Sequence, residues 1–226
     1  MPERPESPRL RVPRRAARER RSRAERSAET RARILDAVVA SIAEVGLPRT
    51  TASEIARRAG VTWGAVQHHF GDKDELLAAV LEDGFARFAD RFEDLAAGGS
   101  TLDARAAAFV DRAWEHFASP LYRANFEILL GTVREARSER TDRIPAEMLA
   151  AVDELWTRTF PDSPLARERR HALERYVIAV LSGLATQVML QGPSPRVLPD
   201  VEIAVLKDTL ARELAGPKGG GPAASG

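Results

Sequence analysis

Between Thr30 and Leu214 apolar side chains recur at intervals of three and four residues, and no segment sustains an apolar–polar alternation of period two. Such a pattern suits helices that bury one stripe and argues against strands with one buried face. The chain is therefore expected to be all-α, with about nine helices. The first carries Ile34, Leu35, Val38, Val39, Ile42 and Val45 and stops at Gly46. Thr51-Ala-Ser-Glu54 has the spacing of a capping box and opens a short second helix through Ala59. Thr62 caps a third, to about Phe70. Asp72 caps a long fourth whose stripe includes Leu76, Leu77, Val80, Leu81, Phe85, Phe88 and Phe92. The run "AAGGS" at 96–100 ends it. A fifth helix begins near Thr101, a sixth follows Pro120, and Pro145 fits the first turn of a seventh. An eighth reaches about Gln191 and a ninth spans about Asp200 to Leu214.

Both ends lack anything to bury. Residues 1–28 hold Pro2, Pro5, Pro8 and Pro13 among Arg and Glu, and are expected to be a disordered basic arm that turns helical toward Ala24. Residues 216–226, "GPKGGGPAASG", are expected to be a disordered tail. The net charge of +1 hides an asymmetry: residues 1–33 carry twelve Arg against five Glu, +7, which leaves −6 for the remainder. A basic end on a mildly acidic body suits a polyanionic partner; a solvated tail without a partner is the alternative. Arg outnumbers Lys 31 to 3 throughout, so part of this richness is general composition. The absence of cysteine excludes disulfides, a thiolate nucleophile and a cysteine zinc site. No run of about 18 apolar residues is evident, so no membrane span is expected. The N-terminal arginines lack an apolar segment of the signal-peptide kind, which points to a cytoplasmic protein.

The second and third helices are separated only by Gly60 and Val61, with Thr62 as cap, the short glycine-bearing link of a helix-turn-helix. At about 100° per residue, Val66 and Phe70 share an inward face of the third helix. Gly64 and His68 lie opposite, flanked by Ala65 and Gln67, with Trp63 at the edge. This outward face is small, polar and aromatic, as a helix that approaches base edges and phosphates requires. The adjacent His68 and His69 diverge by about 100°, so they are badly placed to share a metal; His69 turns partly back toward the domain.

Residues 30–77, "TRARILDAVVASIAEVGLPRTTASEIARRAGVTWGAVQHHFGDKDELL", resemble the DNA-binding domain of the TetR family of transcriptional regulators. The resemblance implies a helix-turn-helix DNA-binding domain over 29–75 and a helical effector-binding and dimerisation domain over 76–215. It further implies that Thr51, Ser53, Thr62, Trp63, Gly64, Gln67, His68 and Lys73 face DNA. Thr51 and Thr62, at helix N-termini, would meet phosphates, as would Lys73. Gln67 departs from the Tyr common in the family: it either reads adenine or reaches less far. Trp63 either faces the duplex or packs at the edge. The implied molecule is a homodimer through helices eight and nine on a (pseudo)palindromic double-stranded DNA operator. It would act as a repressor released by a small, largely apolar ligand, with Phe85 and Phe88 where pocket and lever meet.

The resemblance implies a ligand cavity built from helices five to seven and the inner face of helix four. The candidates here are Phe88, Trp114, His116, Phe117, Asn125, Phe126, Arg134, Trp156 and Gln187. Core packing is the alternative for each, and a lone His on an apolar stripe is often a satisfied core residue. No cofactor, metal or catalytic constellation is expected. The one Glu-x-x-His, Glu168 to His171, has Arg169 and Arg170 between and reads as a solvated face. The rival function is a carrier of a lipid or other hydrophobic ligand whose head has lost DNA.

Overall fold

The computed structural model describes the backbone of residues 14–95, 101–134, 139–192 and 199–216, with side chains from Arg23 onward except 132–142, 144 and 145. The terminal arm's first thirteen residues, the 96–100 break, the tail beyond Gly216 and the Arg134 side chain lie outside the described residues. Among those described, every regular element is helical: α1 (Arg14–Val45), a 3-10 turn (Leu47–Arg49), α2 (Ala52–Ala59), α3 (Trp63–Phe70), α4 (Lys73–Asp90), α5 (Leu102–Phe117), α6 (Pro120–Arg134), α7 (Glu139–Thr159), α8 (Arg167–Leu190) and α9 (Asp200–Leu214).

Three helix boundaries differ from expectation. α1 begins at Arg14 rather than near Ala24. Beyond Pro13 the run is rich in Arg, Ala and Glu without Pro or Gly, and a formed helix extends without a second nucleation cost. α7 begins at Glu139, which leaves Pro145 inside the helix and forfeits one ladder hydrogen bond there. α4 ends at Asp90, and Phe92 sits in the turns that follow, buried to 1% exposure.

Two clusters fill the molecule. A head cluster joins Ile34, Leu35, Val38 and Ile42 of α1 with Ile55, Val66, Phe70 and the first two turns of α4. It also takes Ala124 and Ile128 from α6, so packing does not divide at residue 76. A body cluster gathers Phe92, Phe109, Phe117, Trp156 and Phe160 with the inner faces of α8 and α9. By length and composition alone, α8 is apolar enough to cross a membrane. It packs on α5, α7 and α9, and Leu173, Val177, Leu181 and Leu184 are buried in the body.

Candidate functional site

Gly60, between α2 and α3, is left-handed (φ 65, ψ 37), a conformation costly for residues with a Cβ. Its amide closes α2 and lets α3 cross sharply. Val66 and Phe70 anchor α3 in the head, and the Arg31 guanidinium lies 4.4 Å from the Phe70 ring centroid. Opposite them Gly64, Gln67 and His68 are exposed, while Trp63 is half-buried against the head cluster. The His68 and His69 rings are 5.8 Å apart at 68°, and His69 leans toward Phe70 at 6.2 Å.

The N-termini around this face are capped from within. Thr62 Oγ1 accepts from the Ala65 amide at 3.2 Å, Thr51 Oγ1 from Glu54 at 3.3 Å, and Asp72 Oδ1 from Glu75 at 2.9 Å. Ser53 Oγ is 3.1 Å from Thr51 Oγ1, and Lys73 is exposed at the first position of α4. The capping box at Thr51 forms only its hydroxyl half. The Glu54 carboxylate binds Arg57 at 2.8 Å and also Arg58, and these two guanidiniums hold its pKa at about 2. Arg58 continues to Glu44 on α1 at 2.7 Å, so the acid ties α2 to its neighbour.

In the body, a cavity of about 300 Å³ lies between α4, α5, α6, α7 and α8. Of the expected residues, Phe88, His116, Phe117, Asn125, Phe126 and Trp156 line it. Trp114 does not: it is half-buried one residue round from Ala113, which does line the wall. Gln187 is exposed on the outer face of α8, and Ser182 is the α8 polar group at the cavity. Phe109 and Tyr122, absent from the expected set, also line it, as does Phe85. Helical spacing carried the missing signal: 109, 113, 116 and 117 share one face of α5, and 122, 125, 126 and 129 one face of α6.

The lining is apolar with few polar groups. Burial, with Arg91 nearby, pushes the His116 pKa down to about 4, so its ring is neutral at pH 7. It stacks among Phe88 at 4.8 Å, Phe117 at 5.8 Å and Tyr122 at 5.9 Å. Burial raises the Tyr122 pKa, against a hydrogen bond to Ser182. Asn125 is 6% exposed, and its Oδ1 has no hydrogen-bond partner.

Cavity and head share two helices. On α4, Leu76 to Leu81 belong to the head while Phe85 and Phe88 line the cavity. On α6, Ala124 and Ile128 are fully buried against the head, and Glu127 Oε2 accepts the Leu47 amide at 2.8 Å. Arg87 of α4 bridges to Asp36 of α1 at 3.0 Å.

The Glu168–His171 stretch is not wholly solvated. His171 Nε2 and Arg170 Nη2 each lie 2.9 Å from Asp153 Oδ1 on α7, and Glu174 is buried beside them. Asp153, His171 and Glu174 fall within 4.8 Å of one another, but the Arg170 guanidinium already supplies the cation there.

Residues 34–80 match the model of the family described as bacterial regulatory proteins, tetR family. The HTH-type transcriptional regulator BetI of Burkholderia cenocepacia (strain HI2424) is 51% identical over 51 residues, 23% of this chain. That match spans only 26% of BetI's own length. The fatty acid degradation regulator FadR from Bacillus halodurans superposes with a TM-score of 0.61 over 83% of this chain and 95% of its own, at 18% identity. FadR from Bacillus subtilis, solved with stearoyl-CoA, gives 0.55 over 81% of this chain and 97% of its own, at 19% identity. These structural likenesses are likenesses of fold. Residues 34–80 thus carry the helix-turn-helix head of the tetR family, and the described helices beyond it share the fold of these solved regulators.

Proposed function

We propose that this protein is a sequence-specific DNA-binding transcriptional regulator, a repressor that leaves its operator when a small molecule enters the body cavity. The observation that carries the reading is the exposed face of α3. Gly64, Gln67 and His68 stand clear of solvent-excluded neighbours, on a helix whose other side is locked by Val66 and Phe70. A small residue beside two polar ones admits close approach to base edges. Thr51, Ser53, Thr62 and Lys73 are exposed around it, and the uncapped amides at the starts of α2 and α3 suit phosphate oxygens. Half-buried Trp63 braces the start of α3 and offers its outer edge to the backbone.

Two such faces are needed to read adjacent major grooves, about 34–36 Å apart. A second copy would dock on α8 and α9, where Tyr176, Leu190, Val201 and Val205 are exposed at 47, 82, 74 and 57%. The basic start of α1, helical ahead of the head, adds phosphate contacts and steepens the salt dependence. The switch is a population shift: ligand favours one setting of α4 and α6, and the head follows because both helices are built into its core. The stearoyl-CoA seen in the Bacillus subtilis FadR carries phosphates, for which this lining has no cationic side chain among the described residues.

The test is fluorescence anisotropy with the chain's own upstream duplex, at several salt concentrations and with excess nonspecific DNA. Specific retention with a steep salt slope is expected. No retention on any duplex at low salt would leave the carrier of a hydrophobic ligand in its place.

A further inference from the structure

The 3-10 turn that leads into α2 receives its cap from the body of the molecule. Gly46, at the start of the turn, has no side chain to offer. Pro48 has no N–H, and the Arg49 amide is bound to the Gly46 carbonyl at 3.2 Å. The Leu47 amide is therefore the donor that this turn leaves to an outside partner. Glu127 Oε2 on α6 takes it, at 2.8 Å. Arg123, one turn earlier on α6, holds the other carboxylate oxygen at 3.2 Å and so aims Oε2 at the turn.

The contact is built from both sides. A Cβ at Gly131, one turn beyond Glu127, would lie 2.8 Å from Leu47 Cδ2, so α6 is bare where the turn meets it. Behind the turn, Thr50 Oγ1 donates to the Gly46 carbonyl at 3.0 Å and lies 3.0 Å from Ser41 Oγ of α1, with both residues fully buried. Thr51 follows at once as the cap of α2. The setting of α6 thus reaches the start of α2 through a charge-assisted hydrogen bond, roughly twice as strong as a neutral one. The same α6 contributes Tyr122, Phe126 and Leu129 to the cavity lining.

We propose that Glu127 is a positioning residue for DNA reading, a role that rests on reading the protein as a regulator. From α6 it fixes the 47–49 turn, and with it the setting of α2 and α3 on the body. Two heads must reach adjacent grooves together, and a head held less firmly spends less time in register. Operator affinity of the full chain, on its own upstream duplex, reads this directly. Glu127→Leu removes the acceptor and should weaken binding about tenfold. Glu127→Asp keeps the charge but falls one methylene short, and should weaken it nearly as much. Glu127→Gln keeps an oxygen at full reach and should stay within about threefold of wild type. The Leu and Gln variants lose the same charge, so phosphate repulsion cannot account for a difference between them.

Two measurements without DNA accompany the titrations. Hydrogen exchange of the Leu47 amide should be about tenfold faster in Glu127→Leu, with the amides of α5 and α9 unchanged. Equilibrium dialysis with fluorene, an uncharged tricyclic probe of the cavity, should not separate the two chains, because Glu127 is outside the lining. Operator affinity of Glu127→Leu within twofold of wild type would overturn the proposal. So would a Gln variant as weak as Leu beside an Asp variant as strong as wild type, or a fluorene affinity that changes with the operator affinity. A wild-type chain that ignores every duplex would sink the regulator reading and this role together. A chain that binds its operator equally well with and without the Glu127 carboxylate would sink this role alone.

Discussion

The head and the body enclose their interiors with different side chains. The head is packed mainly with aliphatic residues, Ile34, Val38, Ile42, Ile55, Leu76 and Leu81, around the buried ring of Phe70, with Trp63 at its edge. Branched and small side chains interdigitate closely, and the result is a firm platform for an outward polar face on α3. The body is packed with rings: Phe88, Phe92, Phe109, Trp156 and Phe160 meet at centroid distances of 4.7 to 5.5 Å. Flat, stiff rings tile less completely, and about 300 Å³ remains between them. Their outward faces differ in the same sense: polar on α3, apolar on α8 and α9. The contrast teaches that one chain can build a closely packed head and a body that keeps a cavity from the same kind of element.

Substitutions can break this contrast or sharpen it. The largest effect is expected on the body's outward face. Val201→Glu combined with Val205→Glu should raise the dissociation constant of the proposed dimer about a thousandfold, because two charges per chain would be desolvated. Sedimentation velocity reads this directly, and an unaltered dimer would move the interface elsewhere.

Next comes pH, which acts through the body's buried ring. Folding lowers the His116 pKa from 6.5 to about 4, so the unfolded chain binds a proton that the folded chain refuses. Stability is full above pH 6.5, falls as pH drops toward 4, and levels off below, a loss of about 3 kcal/mol. Urea titrations of wild type and His116→Gln between pH 4 and 7.5 isolate this contribution. A pH-independent difference between them would show that the ring titrates alike in both states.

On the head's face, His68→Glu should cost about a hundredfold in operator affinity through lost contact and phosphate repulsion. The melting temperature should stay unchanged, since the residue is exposed. Affinity within twofold of wild type would take His68 out of the interface.

The smallest effect compares the two interiors. Ala79 is 2% exposed within the head cluster, so Ala79→Leu should cost about 1–3 kcal/mol. Ala113 borders the cavity, so Ala113→Leu should cost under about 1 kcal/mol while it blocks probe binding. Equal costs in urea denaturation would mean that the cavity is not free space.

The positions of most helices were legible because spacing of three and four marks a buried stripe wherever the helix docks. The caps at Thr51, Thr62 and Asp72 were legible because a cap is a contact three residues long. The inward Val66 and outward His68 follow from the same geometry. The helix starts at Arg14 and Glu139 were not, since a formed helix propagates into any tolerant sequence beside it. Trp114 and Gln187 were placed at the cavity because large or polar residues on an apolar helix look alike from either side. The two working faces of α6 were hidden too. Nothing local distinguishes Ala124 and Ile128, turned to the head, from Tyr122 and Asn125, which line the cavity.

The sequence by itself determined that this chain would be helical and that α3 would turn a polar face outward, because both depend on contacts within a few residues. Only the tertiary structure decided that Asn125 would line a cavity and that Glu127 would hold the Leu47 amide, eighty positions away. The physical reason is range. Helix formation and capping are settled within a turn or two, whereas a cavity exists only when five helices have docked and their rings fail to fill the centre.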